Sequence, residues 1–222
     1  QVFWKKGFQV PEAGRSSEGR AITNLLKLRD GEEIHTILRV PEFDEERFIV
    51  FATRNGVVKK TKLEAYSRPK KGGIRAILVD EDDEVVSVRL ASPGDTVMLS
   101  MAAGRTIRFD ESGVRAMGRS SRGVKGAKLL GDDQVVGMVV AEPDAFLLTA
   151  SVNGYGKRTQ LSDYPIKGRG GQGVIDIRTT ERNGKVSSTL NIISVDLLSE
   201  TVVLARNNEA PMFVAYDDNI DR

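Results

Sequence analysis

The sequence contains no cysteine and only one histidine, His35. The absence of thiols excludes disulfides, thiolate metal sites and cysteine nucleophiles, and one histidine leaves little material for a catalytic triad or a metal cluster. No apolar run approaches the roughly 20 residues that cross a bilayer, and the N-terminus lacks the plan of a signal peptide. We therefore expect a cytoplasmic protein with no membrane partner and no small-molecule substrate.

Aromatic residues are also scarce, at 6% of the 222 residues. Apolar residues make up 40% and charged residues 29%, which is typical of a folded globular protein and excludes a mainly disordered chain. The apolar residues alternate with a period of two or form short runs, and sustained helical spacing is absent. These patterns predict an all-β protein, and β architectures of this length often form one domain.

In place of helices the chain has a repeat of about fifty residues. The repeats run roughly over 1–33, 34–84, 85–134, 135–184 and 185–222, and the later four each contain a tight-turn signal, the clearest being Asn55-Gly56 and Asn153-Gly154. Asn-Gly favours a two-residue hairpin because both central residues need positive φ. The predicted strands are 21–26 in the first repeat; 34–40, 48–53, 57–61 and 74–79 in the second; 85–91, 97–101, 106–109 and 127–130 in the third; 135–141, 146–150, 156–159 and 174–177 in the fourth; and 186–193 and 202–205 in the last.

About four short strands per repeat, at a fixed period, predict propeller-like blades; a sandwich does not need this self-similarity. The chain opens inside the second half of one repeat and stops just after the hairpin of another, so it looks like a segment of a longer polypeptide. We expect a single domain over residues 1–222 with about four to five blade equivalents, arranged as a closed ring or an open arc.

Lysines and arginines occur in blocks that recur with the repeat, although the formal net charge is only +2. Acidic turns follow the blocks, as at residues 80–84, and five acids in a turn between strands indicate a solvated loop more than a cation site. Corresponding loops of stacked repeats share one edge, which predicts a positive track for a long polyanion. The predicted contact residues are Lys5, Lys6, Arg15, Arg20, Lys59, Lys60, Lys62, Arg68, Lys70, Lys71, Arg75, Arg105, Arg108, Arg115, Arg119, Arg122, Lys125, Lys128, Lys157, Arg158, Lys167, Arg169 and Arg178.

The loops around these blocks resemble a known family. Segments 17–20, 70–73, 121–126 and 168–173, with 11–13, 112–118 and 153–159, closely resemble the C-terminal domain of the DNA gyrase A subunit, over about residues 2–191. The resemblance implies a β-pinwheel, a propeller-like ring whose blades exchange strands and whose rim wraps double-stranded DNA to support negative supercoiling.

The same resemblance implies the setting of the domain. The partners would be DNA, the gyrase B subunit, and the remainder of the gyrase A subunit, in the bacterial cytoplasm at the nucleoid. This segment would hold no cofactor and no catalytic residue, because the ATP and Mg of a type II topoisomerase belong to other parts of the parent enzyme. Tyr66 and Tyr164 occupy equivalent repeat positions, which favours a packing role over that of a nucleophile.

Glycines in the loops would serve the same contact. Glycine permits close approach of the backbone and leaves N–H groups free for phosphate oxygens. Bending 20 to 30 bp by 40 to 90° costs roughly 1 to 6 kcal/mol, so many spaced contacts are required. The loop glycines predicted to take part are Gly19, Gly72, Gly73, Gly123, Gly126, Gly170, Gly171 and Gly173.

One departure from the family is clear. The family's box, Gln-Arg-Arg-Gly-Gly-Arg-Gly, has no full copy, and its best match, residues 167–173, has Gln172 where a basic residue is expected. We therefore expect DNA binding without full wrapping from this chain alone. Two alternatives stay open: the C-terminal domain of the topoisomerase IV A subunit, whose boxes are degenerate, and a propeller that acts as a protein-interaction scaffold. Against the scaffold, Trp-Asp repeat signatures are absent and the rim is basic.

Overall fold

The computed structural model describes residues 1–28, 32, 34–68, 70–141 and 145–192. Its strands are β1 (Phe48–Thr53), β2 (Val57–Lys62), β3 (Val85–Ala91), β4 (Thr96–Met101), β5 (Arg105–Asp110), β6 (Val124–Lys125), β7 (Val135–Ala141), β8 (Phe146–Ser151), β9 (Gly156–Gln160), β10 (Val174–Ile175) and β11 (Val186–Ile192). Short 3-10 helices cover Gly7–Gln9, Ile22–Asn24, Leu63–Tyr66, Glu111–Gly113 and Leu161–Asp163. The all-β prediction is confirmed. Within these residues, no helix has the length and apolar character needed to cross a membrane.

Three antiparallel sheets repeat one plan. Sheet I has the order β3-β1-β2-β6, sheet II β10-β5-β4-β7 and sheet III β11-β8-β9. A tight hairpin forms the middle of sheets I and II and one side of sheet III. The next long strand of the chain, β3, β7 or β11, pairs with the first hairpin strand. Within the described residues, the hairpins form where the turn signals placed them, and the repeated sheets confirm the propeller-like prediction.

The fourth strand of sheets I and II is supplied by the next repeat along the chain. Strand β6 follows the second hairpin but pairs with β2 of the first, with Val124 opposite Val58. Strand β10 pairs with β5 in the same way. An isolated bridge between Val2 and Ile74 repeats this arrangement at the N-terminus. Neighbouring blades are thus joined by exchanged strands, as the resemblance implied, and each sheet crosses the repeat boundaries drawn from the sequence.

Several predicted strands are wrong, and most of them are the strands that close a repeat. Residues 127–130 form no ladder because the outer strand ends at Lys125, where the chain turns over the neighbouring hairpin. There the N–H groups of Gly126 and Ala127 both donate to the carbonyl oxygen of Gly56, at 2.8 and 3.1 Å. Strand β10 likewise ends at Ile175, and in the predicted strand 74–79 Ile74 alone forms a bridge.

The N-terminal predictions fail for a related reason. Residues 21–26 contain the 3-10 helix Ile22–Asn24, and residues 34–40 have no strand. The equivalent strands β3, β7 and β11 pair with a preceding hairpin, and among the described residues no hairpin precedes Ile34. His35 is consequently exposed. The predicted strand 202–205 and the tight-turn signal of the last repeat, Asn207-Asn208, lie outside the described residues.

Packing between the sheets defines an inner and an outer edge. Strand β3 lies against β7, and β7 against β11. Buried side chains such as Leu99, Met101 and Met138 form the core that joins sheets I and II. Because β6 and β10 occupy the opposite edges of their sheets, the loops leading into them lie on the outer edge. We name these loops rim loop A (residues 67–68 and 70–73), rim loop B (114–123) and rim loop C (164–173).

Candidate nucleic-acid interface

Most of the predicted contact cations lie on the surface. Rim loops A and B contain five of the exposed cations: Arg68, Lys70, Lys71, Arg115 and Arg122. The other exposed members are Lys5, Lys6, Arg15, Arg20, Lys62, Arg75, Lys125, Lys128, Arg158, Lys167, Arg169 and Arg178. The outer edge therefore carries positive charge on every rim loop.

Lys59 and Lys60 are the clear exceptions, and their prediction as surface contacts is wrong. Both are buried, at 0% and 5% exposure, because β2 is covered on both faces. The Lys59 Nζ donates to the carbonyl oxygens of Ala76 and Arg119, the latter at 2.5 Å. The Lys60 Nζ pairs with the carboxylate of Glu111. Both ammonium groups thus connect one blade to the next instead of facing solvent.

Arginines of the second hairpin make similar connections and are half-buried. The Arg105 Nε donates to the carbonyl oxygen of Gln172 at 2.9 Å, and an Nη of Arg108 donates to that of Leu161 at 2.7 Å. In the reverse direction, the Arg169 Nε donates to the carbonyl oxygen of Gly113 at 2.7 Å. Hydrogen bonds from guanidinium groups are among the stronger ones in proteins. These side chains join successive blades, although Arg169 stays exposed.

Lys60 and Arg108 perform the same task in successive repeats. Each donates to the carbonyl oxygen of the first residue in the next 3-10 helix, Glu111 at 3.0 Å and Leu161 at 2.7 Å. Glu111 also forms an ion pair with Lys60 through its carboxylate. The equivalent helix begins with Leu161, which has no charge for Arg108 to pair with. Sequence reasoning missed Glu111, although a signal existed: Leu63 and Leu161 begin the equivalent 3-10 helices, so a glutamate there needs a buried partner.

Asp176 is a second partner that the sequence did not reveal. It is buried and accepts hydrogen bonds from the hydroxyls of Thr149 at 2.6 Å and Tyr164 at 2.5 Å, while the Lys157 Nζ lies 3.0 Å from it. Lys157 is therefore already paired. Burial, with the hydrogen bond to Asp176, raises the pKa of Tyr164 well above its usual value. Tyr66 is buried too, so the packing role predicted for both tyrosines is confirmed.

The loop glycines fall into two groups. Gly73, Gly123 and Gly173 each precede the outer strand position with a φ of +74°, +112° and +69°. A Cβ on Gly123 would lie 2.5 Å from the carbonyl oxygen of Val58 in the neighbouring hairpin. These glycines are required by packing between blades, and Gly126, also packed against Val58, joins them. Their approach to a polyanion stays a prediction. Open space surrounds Gly19 and Gly72, and Gly170 and Gly171 make ordinary contacts.

The acidic turns lie at the hairpin end of the blades. The backbone N–H of Asn55 donates to Asp83 at 2.9 Å, and that of Ala103 donates to Asp133 at 2.8 Å. Asp80 differs, because it reaches rim loop B and pairs with Arg122. Among the described residues no group of three or more histidines and carboxylates is placed to hold a metal ion.

Comparison with known proteins decides the family. A family profile described as "DNA gyrase C-terminal domain, beta-propeller" matches residues 3–41, 47–92, 102–142 and 145–192. The chain belongs to this family. Its relatives include the DNA gyrase A subunit of Salmonella typhimurium, 42% identical over 99% of this chain, and that of Escherichia coli K12, 41% identical over the same share. The chain spans 27% of the length of each of these relatives.

Solved structures agree with the gyrase family. The C-terminal domain of DNA topoisomerase IV has a TM-score of 0.75 at 28% identity, covering 92% of this chain and 62% of that one. A DNA gyrase A C-terminal domain has a TM-score of 0.76 at 23% identity, covering 90% of this chain and 66% of that one. At 23% identity, the similarity to the gyrase A structure supports the fold alone.

Within this gyrase-family domain, Lys59 has an unusual ionisation. Burial lowers its pKa from 10.5 to about 8, and the guanidinium of Arg119 acts in the same direction. Burial raises the pKa of Tyr66 from 10.0 to about 12. Between pH 8 and 10.5 the unfolded chain therefore holds the Lys59 proton more tightly, so the free energy of unfolding increases with pH there. Above pH 10 Tyr66 opposes this increase, because its proton is then lost first from the unfolded chain.

We expect Lys59→Met to remove the increase in the free energy of unfolding between pH 8 and 10.5. Across this pH range Lys59 contributes about 3 kcal/mol at most. The measurement is urea unfolding of both proteins at pH 7.5, 8.5, 9.5 and 10. Lys62→Met, a change of the same size on the exposed end of β2, should keep the wild-type pH dependence. If the free energy of unfolding changes with pH in the same way for wild type and Lys59→Met, the lowered pKa of Lys59 is wrong.

Proposed function

We propose that this chain binds duplex DNA without sequence preference along rim loops A, B and C, and bends it around the outer edge. The observation that carries the proposal is the placement of exposed cations on all three rim loops along one edge, in a chain of the gyrase A C-terminal family. The acidic turns lie mostly at the hairpin end, away from this path. Repeated contacts of this kind suit a polyanion of constant charge density.

Energetics support several contact points over one. Bending 20 to 30 bp costs roughly 1 to 6 kcal/mol, which one or two surface lysines do not offset. Each blade adds a basic rim loop at the same position. The exchanged strands and buried ties hold these loops in register, so that little further ordering is needed when DNA binds.

The domain would work without catalysis of its own, as the C-terminal module of a gyrase A subunit. Its partners would be the gyrase B subunit, and the remainder of the A subunit, in the bacterial cytoplasm. ATP and Mg would be used elsewhere in the type II topoisomerase, and the domain would support negative supercoiling. The named gyrase A relatives favour this parent. The likeness to the topoisomerase IV domain supports the alternative parent.

Titration of the chain onto linear duplexes and DNA minicircles tests the proposal. We expect equal affinity for unrelated sequences, a negative log–log salt slope of about 0.9 per phosphate engaged, and a shift in the topology of minicircles closed in its presence. A flat salt slope, or a strong preference for one sequence, would refute DNA binding of this kind. Binding without the topological shift would leave DNA binding but remove wrapping.

Charge reversal on the rim should weaken binding to all duplexes alike. We expect Lys70→Glu with Lys71→Glu to lower the steepness of the salt slope by about 2, since two phosphate contacts are lost. Arg119→Glu with Arg122→Glu should weaken binding as well. The matched control reverses Arg182 and Lys185, two exposed cations at the hairpin end, and should bind as wild type does. Preserved affinity in both rim variants would exclude the rim from the mechanism.

A further inference from the structure

Phe8 is an aromatic side chain that extends into solvent, with 82% of its surface exposed. It occupies the middle position of the 3-10 helix Gly7–Gln9. No heavy atom lies within 4 Å of the point that a Cβ on Gly7 would occupy, so the turn has open space beside it. Single exposed apolar residues are common on protein surfaces. What distinguishes Phe8 is its position in the repeat and the charge around it.

The position of Phe8 in the repeat lies on the outer edge. The 3-10 helices that begin at residues 7, 111 and 161 each lie twelve residues before a glycine with positive φ, at 19, 123 and 173. Phe8 therefore corresponds to Ser112 and Ser162 and, in the helix before rim loop A, to Glu64. All three are exposed, and Glu64 lines a concave outer surface with Lys62 and other rim cations. Exposure thus belongs to this position in each repeat, and in the first repeat the position carries an aromatic ring.

The turn that carries Phe8 is closed by hydrogen bonds. The N–H groups of Gln9 and Val10 donate to the carbonyl oxygens of Lys6 and Gly7, at 2.9 and 3.0 Å. The side-chain oxygen of Gln9 accepts a hydrogen bond from the N–H of Lys6 at 3.1 Å. The backbone under the ring is therefore ordered before any partner binds, so little further ordering is needed on contact.

The surroundings of the ring are basic. Residues 1–11 contain no acid, and the Lys6 Nζ lies 5.9 Å from the centroid of the Phe8 ring. Lys5 precedes the turn, and Arg15 and Arg20 follow it in exposed positions. A polyanion is attracted to such a surface, and there it would meet an apolar ring as well as cations.

We infer that Phe8 is a wedge that inserts between two neighbouring base pairs of the bound duplex. This inference deepens the proposed function and rests on it, but the contact is with bases, whereas the rim cations contact phosphates. Proteins that deform DNA use apolar side chains such as phenylalanine and leucine to unstack one base step. Burial of the exposed ring between bases removes apolar surface from water, which offsets part of the cost of unstacking.

A wedge acts on the path of the duplex differently from the rim cations. Phosphate contacts draw the duplex around the outer edge, whereas a side chain inserted from the minor groove kinks it toward the major groove, away from the ring. We therefore expect a sharp kink at one base step beside Phe8, in contrast to the smooth bend along the rim loops. Unstacking costs least at a flexible or mismatched step, so the kink should be placed there.

A duplex with one mismatched base pair tests the wedge. We expect wild type to bind a duplex of about 40 bp with a central mismatch about 3- to 10-fold more tightly than the fully paired duplex, because the mismatch lowers the cost of unstacking. Phe8→Ser, with the residue type of positions 112 and 162, should bind both duplexes equally. It should keep the wild-type salt slope, since no phosphate contact is lost. Phe8→Leu should retain the preference, because leucine also acts as a wedge.

Ile37→Ser is the matched control, because Ile37 is 83% exposed but lies outside the rim loops. It should bind both duplexes as wild type does, and thermal unfolding of each variant checks that the fold is retained. If Phe8→Ser keeps the preference for the mismatch, or if wild type binds both duplexes equally, the wedge is overturned and the proposed function stands. A wild type that binds neither duplex overturns both.

Tryptophan fluorescence gives an independent test, because the chain has one tryptophan, the half-buried Trp4. Phe8→Trp adds an indole at the wedge position, and Ile37→Trp adds one at the control position. Stacking between bases quenches indole emission and shields the ring from acrylamide. After subtraction of the wild-type signal, we expect duplex binding to quench the added emission of Phe8→Trp and to leave that of Ile37→Trp unchanged. Equal changes in the two variants would overturn the inference.

Discussion

Replacing Lys60 with methionine is expected to lower the free energy of unfolding by about 3 to 5 kcal/mol, because it leaves the buried Glu111 carboxylate without its partner. Both side chains are nearly inaccessible, at 7% and 6% exposure. The same substitution also removes the hydrogen bond to the carbonyl oxygen of Glu111. Urea or guanidinium unfolding, with the denaturant slope compared between proteins, measures the loss.

The double variant Lys60→Met with Glu111→Leu is the control for this prediction. Leucine already begins the equivalent 3-10 helices at Leu63 and Leu161, so an apolar pair suits the position. Replacing a buried ion pair by packed apolar residues is often neutral or stabilising. The double variant should therefore recover most of the lost stability. If it is no more stable than the single variant, the loss comes from packing and not from the unpaired charge.

Gly123→Ala is the second substitution with a large expected effect. At a φ of +112°, a side chain costs about 1 to 3 kcal/mol in backbone strain. The new Cβ would also crowd the carbonyl oxygen of Val58 at 2.5 Å, and overpacking of this kind costs about 1 to 3 kcal/mol more. Because Gly123 immediately precedes β6, the exchanged strand should detach from β2. Calorimetry should show a lower Tm, and amide exchange should become faster at Val124.

Gly131→Ala isolates the two contributions. Gly131 also has a positive φ, +60°, but no atom lies within 4 Å of the point that a Cβ would occupy. Its substitution should carry the strain alone and leave exchange at β6 unchanged. Equal losses of stability in the two variants would mean that contact with the neighbouring hairpin adds nothing, contrary to a packing role for Gly123 between blades.

The hairpins could be predicted because their information is local. Asn55-Gly56 and the flanking apolar runs define β1 and β2 within a dozen residues, and the structure places both as expected. The outer strands could not be predicted as well, because each pairs with a hairpin of the previous repeat. Strand β6 ends where the chain meets the carbonyl of Gly56, a contact that no local pattern in residues 124–130 encodes.

For the cations too, part of the outcome could be predicted from the local sequence and part depended on contacts between repeats. The predicted cations of rim loops A, B and C are exposed except for the half-buried Arg119. Lys59 and Lys60, in contrast, are buried although they are close neighbours of the exposed Lys62 in one basic strand. In a strand with one free face, Lys60 and Lys62 would both face solvent. Strand β2 is covered on both faces, so only its end is free.

The sequence by itself determined the fifty-residue period, the hairpins, the basic character of the loops and the gyrase-family membership, since these depend on residue types at short spacings. Tertiary structure alone decided which cations tie blades together, which glycines sit against a neighbouring hairpin, and that Phe8 is exposed on the outer edge. The physical reason is that burial and pairing arise from contacts between residues about fifty positions apart, and a side chain's charge acts outward only where those contacts leave it exposed.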